Sequence, residues 1–219
     1  MTSANSAEQL ERTTVTESSI APEVVPFFDE DTNTFSYVVR DPESKACAII
    51  DPVMEFDMAS GATGYCGADS IIGYVKQHGL EVEWIIETHV HADHLSAAPY
   101  IRDRVGGKVA IGENVLTVQE TFAGIFNTGA EFVADGSQFD HLFSDGESYA
   151  IGNLRGQAMH TPGHTPACMS HYIGDAVFVG DTLFMPDSGT ARADFPGGDA
   201  STLFQSTQKI LSLPGSTRI

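Results

Sequence analysis

The run Thr88-His89-Val90-His91-Ala92-Asp93-His94 constrains this chain more than any other seven residues in it. The chain holds 8 histidines in 219 residues, so a random six-residue window carries about 0.2 of them. Residues 89–94 carry three, with an aspartate among them. The run follows directly on the apolar, β-prone segment Val82 to Glu87, so its side chains emerge at the C-terminal end of a strand. His89 and His91 stand two apart, which places both on one side of extended backbone. Asp93 and His94 fall on the turn into the next helix. Imidazoles and a carboxylate gathered this way suit zinc, iron or manganese, and a fold that carries them must bring further ligands to close the site.

Two other turns offer such ligands. Thr161-Pro162-Gly163-His164-Thr165 follows a strand ending near His160, and Gly180-Asp181 follows the strand Ala176 to Val179. All three turns lie just past the C-terminal end of a strand. They converge on one edge if those strands are parallel neighbours or lie in facing sheets. Gly163 and Gly180 let the backbone bend sharply beside His164 and Asp181.

The rest of the chain reads as one mixed α/β domain. Its length sets one domain as the default, with a core sizeable enough to need no disulfides. Met1 to Ala21 is rich in Ser, Thr and Glu and reads as a disordered tail; residues 22–219 form a single catalytic domain. Phe35 to Arg40 and Ala46 to Ile50 make a hairpin about the turn Asp41-Pro42-Glu43-Ser44. Met58 to Gly67 reads as a loop, and Ser70 as the cap of a helix bearing Ile71, Ile72 and Val75 and ended by Gly79. Leu95 to Val105 and Glu113 to Phe126 read as helices around a short strand, Lys108 to Ile111. Leu154 to His160 and Ala167 to Ile173 read as strands. Asp199 or Ser201 opens a last helix with Leu203, Phe204, Thr207, Ile210 and Leu211 on one face. Trp84 alternates with Val82 and packs in the core. Cys168 is a small buried strand residue, His160 and His171 lie at strand ends near the site, and His78 and His141 on surface loops.

Charge and composition exclude whole classes of function. Thirty acidic residues against 11 basic ones give a net charge of −19, which argues against nucleic acid as a partner, because phosphate contacts need Lys and Arg. No apolar run approaches the ~18 residues that span a bilayer. The three cysteines, Cys47, Cys66 and Cys168, show neither a disulfide framework nor a thiolate zinc cage. The N-terminus has the pattern of neither a secretory signal nor a transit peptide, so the expected location is the cytoplasm.

Together, THVHADH, TPGHT and GD resemble the metallo-β-lactamase superfamily over nearly all of Val24 to Ile219. The resemblance implies an αββα sandwich, two β-sheets between layers of helix. The chain stops where that family would start another strand and carry on into helix, so it is expected to be C-terminally incomplete. Within the superfamily it is similar to persulfide dioxygenases, including the form related to β-lactamase-hydrolase-like proteins. That narrower similarity is carried by Ala48-Ile49-Ile50-Asp51-Pro52-Val53, by Glu87 to Pro99, and by Asp181 to Gly198 with its Arg192-Ala193-Asp194-Phe195.

The similarity implies one Fe(II) held by His89, His164 and Asp181, with positions left open for a thiolate substrate and O2. The reaction implied is oxidation of glutathione persulfide by O2 to sulfite and glutathione. His91, Asp93 and His94 would then orient the three ligands or a bound water. Arg192 sits where the family places an arginine beside the site, able to pair with a glutathione carboxylate. A homodimer is a family-level expectation. The alternative resembles glyoxalase II: His89, His91 and His164 bind one zinc, Asp93 and His94 help bind a second, and Asp181 bridges them. The metals then activate water against a glutathione thioester. That scheme needs a further His, and none follows His171 in this chain. A third alternative is a non-catalytic or truncated relative that binds metal without turnover.

Overall fold

Strand Ala46–Ile50 is buried at every position, which requires cover on both of its faces. The computed structural model, which describes residues 20–129 and 131–219, supplies that cover from two directions. Strands β1 (Glu23–Asp29), β2 (Thr34–Arg40), β3 (Ala46–Ile50), β6 (Glu81–Ile86), β8 (Lys108–Gly112) and β9 (His141–Phe143) form a six-stranded sheet in the order β1-β2-β3-β6-β8-β9. Its first three strands are antiparallel and the rest parallel. Strands β10 (Ser148–Ile151), β11 (Leu154–His160), β12 (Met169–Ile173) and β13 (Ala176–Phe178) form a second, antiparallel meander. Strands β4 (Val53–Asp57), β5 (Ala62–Gly64) and β7 (Leu95–Ser96) make a small third sheet.

Alternation along the strands divides the apolar side chains into layers. Ala48, Ile50, Ile86 and Ala110 of the first sheet meet Ile151, Leu154, Ala158, Met169 and Ile173 of the second. Cys47, Ile49, Ile85 and Val109 point the other way, onto helices α1 (Cys66–His78) and α2 (Ala98–Val105). On the far side of the second sheet, Met159, Tyr172 and Val177 pack against Ile210 of α4 (Ala200–Leu211). The order is helix, sheet, sheet, helix, as the resemblance implied, with α3 (Val115–Phe126) following β8. Asp41, in the turn between β2 and β3, ties the sheets by accepting a hydrogen bond from Asn153 N–H at 2.8 Å.

Several local expectations need correction. Helix α1 begins at Cys66, because Ser70 lies a turn inside it and donates its hydroxyl to the Cys66 carbonyl at 2.8 Å, the back-bonding habit of helical serines. Gly79 does end it, in the left-handed region at φ 60°. Within the expected loop 58–67, β5 folds back on β4, and Leu95–Ser96 pairs with β4 before α2 starts. Val82 and Trp84 lie on opposite faces: the register slips between Cys47 and Ala48, which pair with Val82 and Trp84. This bulge at Glu83 turns Val82 to the helices and Trp84 to the inter-sheet core. Asp199 caps α4 by accepting from Thr202 N–H, but Phe204 and Leu211 are exposed, because they sit beside the buried stripe of Leu203, Thr207 and Ile210.

His171 lies in the middle of the sandwich, 0% exposed and bonded to the Tyr149 hydroxyl at 3.0 Å, whereas His141 belongs to β9 and His78 ends α1. Cys168 is buried, held by Thr165 through its N–H and hydroxyl, and burial pushes its thiol up to about 11. Ile20, inside the expected tail, already packs against the inter-sheet core; residues 1–19 lie outside the described residues. No helix among the described residues is long and apolar enough to cross a membrane.

Candidate metal centre

Facing sheets bring the three turns together. β6 ends at Ile86 in the first sheet, while β11 and β13 end at His160 and Phe178 in the second. A backbone bond from Met169 N–H to the Thr88 carbonyl, 2.9 Å, joins the histidine loop to the second sheet. Gly180 is required on two counts: its φ is +49°, and any Cβ there would run into the Thr88 side chain. A Cβ on Gly163 would strike the backbone of Leu203, so the TPGHT turn can sit against α4 only with glycine there.

His89, His164 and Asp181 converge. One ligand atom from each lies within 4.8 Å of the other two, with Asp181 Oδ2 3.7 Å from His89 Nε2 and 3.4 Å from His164 Nε2. Both imidazoles are aimed by their other nitrogen. His164 Nδ1 donates to the Arg192 carbonyl at 2.8 Å. His89 Nδ1 lies 3.1 Å from Thr88 Oγ1, whose own hydroxyl donates to Asp51 Oδ2 at 2.8 Å. Each ring therefore turns the lone pair of Nε2 toward Asp181, the arrangement that fixes tautomer and orientation in a metal ligand. His89 Nε2 is buried and has no hydrogen-bond partner. Burial first, then the neighbouring His91, hold this imidazole well below its ordinary range and therefore neutral. Burial raises the Asp181 carboxyl against the pull of His164 and His91. An orphaned neutral imidazole, a second imidazole and a carboxylate fit a divalent transition metal.

His91 is a neighbour of this set and not a member of it. Its ring centroid is 4.1 Å from that of His89, but its Nε2 faces away, 3.1 Å from Asp51 Oδ1 and 3.3 Å from Glu87 Oε2. The chain bends after Glu87, so the two-residue spacing does not put both rings to one use. Burial alone would pull the His91 imidazole down; the Asp51 and Glu87 carboxylates outweigh it and hold it well above the ordinary value. His91, Asp93 and His94 form a second group within ligand reach of one another. His94 is buried and Asp93 exposed, the latter accepting from Thr34 Oγ1 at 3.4 Å. The Arg192 guanidinium is exposed, pairs with Asp194 and lies 4.9 Å over the Phe195 ring; it is the Arg192 carbonyl that touches His164.

Asp51 and Glu87 went unassigned in the sequence, although both leave a signal there. Each is an acid directly after an apolar strand end, Glu87 after Ile85-Ile86 and four residues before His91, Asp51 after Ile49-Ile50 and just before Pro52. Asp51 adopts φ +48° and accepts from Thr88 N–H at 2.7 Å as well as from its hydroxyl. Burial would raise its carboxyl, but His91 and the hydrogen bonds hold it well below the usual range.

The family model of the metallo-β-lactamase superfamily matches residues 29–219. The chain belongs to that superfamily. Among curated members it is 54% identical to a probable metallo-hydrolase of Burkholderia pseudomallei, over 88% of this chain and 69% of the relative. It is 50% identical to a glyoxylase B2 of Dictyostelium discoideum, over 85% and 64%. To the human mitochondrial persulfide dioxygenase ETHE1 it is 30% identical, over 85% and 62%. It spans only 47% of a β-lactamase hydrolase-like protein of Agrobacterium fabrum that it matches at 52% identity. The crystal structure of ETHE1 from Myxococcus xanthus superposes with a TM-score of 0.70 at 30% identity, over 89% of this chain and 72% of that one. A superfamily protein solved in a di-iron-bound form gives 0.63 at 26% identity, over 87% of each.

Proposed function

We propose that this chain is a mononuclear iron persulfide dioxygenase acting on glutathione persulfide. The observation that carries the proposal is the division of labour in the histidine loop: His89 joins His164 and Asp181, while His91 is occupied by Asp51 and Glu87. Two imidazoles and one carboxylate on one face are the donor set of non-haem iron oxygenases. Iron(II) held by these three side chains supplies, when bound, the redox chemistry that joins dioxygen to the persulfide sulfur. The similarity to persulfide dioxygenase ETHE1, in sequence and in fold, supports it.

The chain's own residues do the rest. Thr88 and the Arg192 carbonyl hold His89 and His164 with Nε2 forward. Arg192, at the exposed rim, exchanges Asp194 for a carboxylate of the anionic substrate. His94, with a buried Nε2 lacking a partner, and Asp93 orient water. Persulfide, dioxygen and water give glutathione, sulfite and two protons; the terminal sulfur is oxidised by the four electrons that dioxygen takes up.

A thioester hydrolase is the second reading. It is favoured by the grouping of His91, Asp93 and His94 and by relatives at higher identity named metallo-hydrolase and glyoxylase. O2 uptake by anaerobically iron-loaded protein on addition of glutathione persulfide, with sulfite measured in the same vessel, separates the two. Matched uptake and sulfite are the expected result. A protein holding one iron that consumes no O2, yet hydrolyses a glutathione thioester when zinc-loaded, is a hydrolase. Retained metal with neither activity identifies a non-catalytic relative.

A further inference from the structure

We infer, resting on the reading of His89, His164 and Asp181 as a metal set, that Thr88 is the positioning residue that gauges the ligands of the two sheets against each other. Its hydroxyl selects the nitrogen of His89 that faces the metal, and its branched side chain is the stop on which the Gly180-Asp181 turn rests. His89 follows β6 of the first sheet and Asp181 follows β13 of the second. Facing sheets stand about 10 Å apart, a spacing that depends on every side chain between them. Metal–ligand distances are held to about 0.2 Å. A single residue in contact with both ligand turns can hold that closer tolerance, and Thr88 is so placed.

Thr88 is buried and tied to both sheets. Its N–H and hydroxyl donate to the two oxygens of Asp51, at 2.7 Å and 2.8 Å. Its carbonyl accepts from Met169 N–H, at the start of β12, at 2.9 Å. A hydroxyl has one proton to donate. Because Asp51 takes it, Thr88 Oγ1 can only accept from His89 Nδ1, 3.1 Å away. The neutral imidazole therefore keeps its proton on Nδ1 and its lone pair on Nε2. This is the pairing of carboxylate and ligand histidine familiar in metal centres, with one hydroxyl set between them. The same side chain meets Gly180: a Cβ built there would strike Thr88 Oγ1 and Cβ and touch Cγ2. Serine would supply the hydroxyl without the methyl, and valine the branched shape without the hydroxyl. Threonine supplies both. His164 needs no such residue, because its backing is the Arg192 carbonyl, which any side chain at 192 leaves in place.

Cobalt(II) titration of the full chain tests this without reference to turnover, since the visible bands of bound cobalt report its ligands. Thr88→Val keeps the stop and removes the hydroxyl; it is expected to bind cobalt about 10–100-fold more weakly and with shifted bands. Thr88→Ser keeps the hydroxyl and trims the stop; it is expected to regain most of the affinity, with a smaller band shift as Asp181 relaxes toward the gap. Urea midpoints of the apoproteins separate these changes from a general loss of stability. A folded Thr88→Val protein with the affinity and bands of wild type overturns the gauge, and so does a Thr88→Ser protein as weak as Thr88→Val. Should Thr88→Val not fold, Thr88→Ser decides alone, and bands identical to wild type overturn the gauge. A wild type whose cobalt binding survives Asp181→Ala undiminished overturns the metal set itself.

Discussion

Two groups of histidine and carboxylate side chains lie within a few ångströms of each other and are built on opposite terms. In one, His89, His164 and Asp181 approach without satisfying each other: the distances to Asp181 are 3.7 Å and 3.4 Å, and His89 Nε2 has no partner. In the other, the charges are paired: His91 Nε2 bonds Asp51 at 3.1 Å and stands 3.3 Å from Glu87, Thr88 and Ser96 donate to the two carboxylates, and Glu87 Oε2 has the ion pair without a hydrogen bond. A buried polar group left without a partner costs about 1–3 kcal/mol, a cost that a bound cation recovers where two imidazoles and a carboxylate converge. An ion-paired group of similar composition serves as framework. Residue type alone does not separate the two; an accounting of which charges are paired does.

The sharpest way to break this comparison is to remove a member of each group. Asp181→Ala takes away the carboxylate of the proposed metal set. Loss of a mere backing partner costs about 10–100-fold in metal affinity, so the expected loss here exceeds 100-fold, with turnover gone and the fold intact. Equilibrium dialysis against iron or zinc, with a thermal melt of the apoprotein, reads both. Asp51→Ala should do the reverse in kind. It strands the His91 ring and the Thr88 donors in the interior and adds strain at φ +48°, so a loss of about 3–5 kcal/mol in unfolding free energy is expected. Asp51→Asn should cost less, since Asn tolerates that backbone and keeps its acceptor. Equal melting of wild type and Asp51→Ala would show that the second group is no framework.

His171 supplies a control, a buried imidazole outside the proposed metal set and with no carboxylate in hydrogen-bond contact. Its Nδ1 meets the Tyr149 hydroxyl, its Nε2 meets nothing, and burial lowers it from 6.5 to about 4. The unfolded chain therefore binds a proton that the folded chain refuses, and stability is lost as pH falls from 6.5 toward 4. The full loss is about 3 kcal/mol. Urea midpoints of wild type and His171→Gln, which keeps a polar neighbour for Tyr149, should diverge over that window and run parallel above it. Parallel curves throughout would mean that His171 is protonated in the core.

The same accounting explains what the sequence could disclose. The three turns were legible because His, Asp and the two glycines have few reasons to stand together behind apolar strands, and the αββα sandwich came with the family resemblance those turns carry. Asp51 and Glu87 were not, because a single acid after an apolar run is also how an ordinary strand ends. Their meaning lies in where His91 comes to rest, 40 residues along the chain from Asp51 and, past a bend, four from Glu87. The opposed faces of Val82 and Trp84 were hidden for a similar reason: the bulge is set by pairing with β3, and alternation along one strand carries no trace of it. Phe204 and Leu211 were misplaced because a stripe one position too wide still satisfies helical spacing.

The smallest expected effect concerns Arg192, whose two ends do different work. Its carbonyl aims His164, a function that any residue with the same backbone retains. Its guanidinium is exposed and engaged with Asp194, and an exposed ion pair is worth about 0–1 kcal/mol, so an incoming carboxylate can displace it at little cost. Arg192→Ala should therefore leave metal content unchanged and raise KM for an anionic persulfide by about tenfold, the equivalent of about 1.4 kcal/mol. Asp194→Asn should lower KM slightly, because it removes the competitor and keeps the cation. Both follow from steady-state kinetics at fixed ionic strength. If Arg192→Ala instead strips the metal, the side chain is what holds the loop that aims His164, and the rim of the site belongs with its framework.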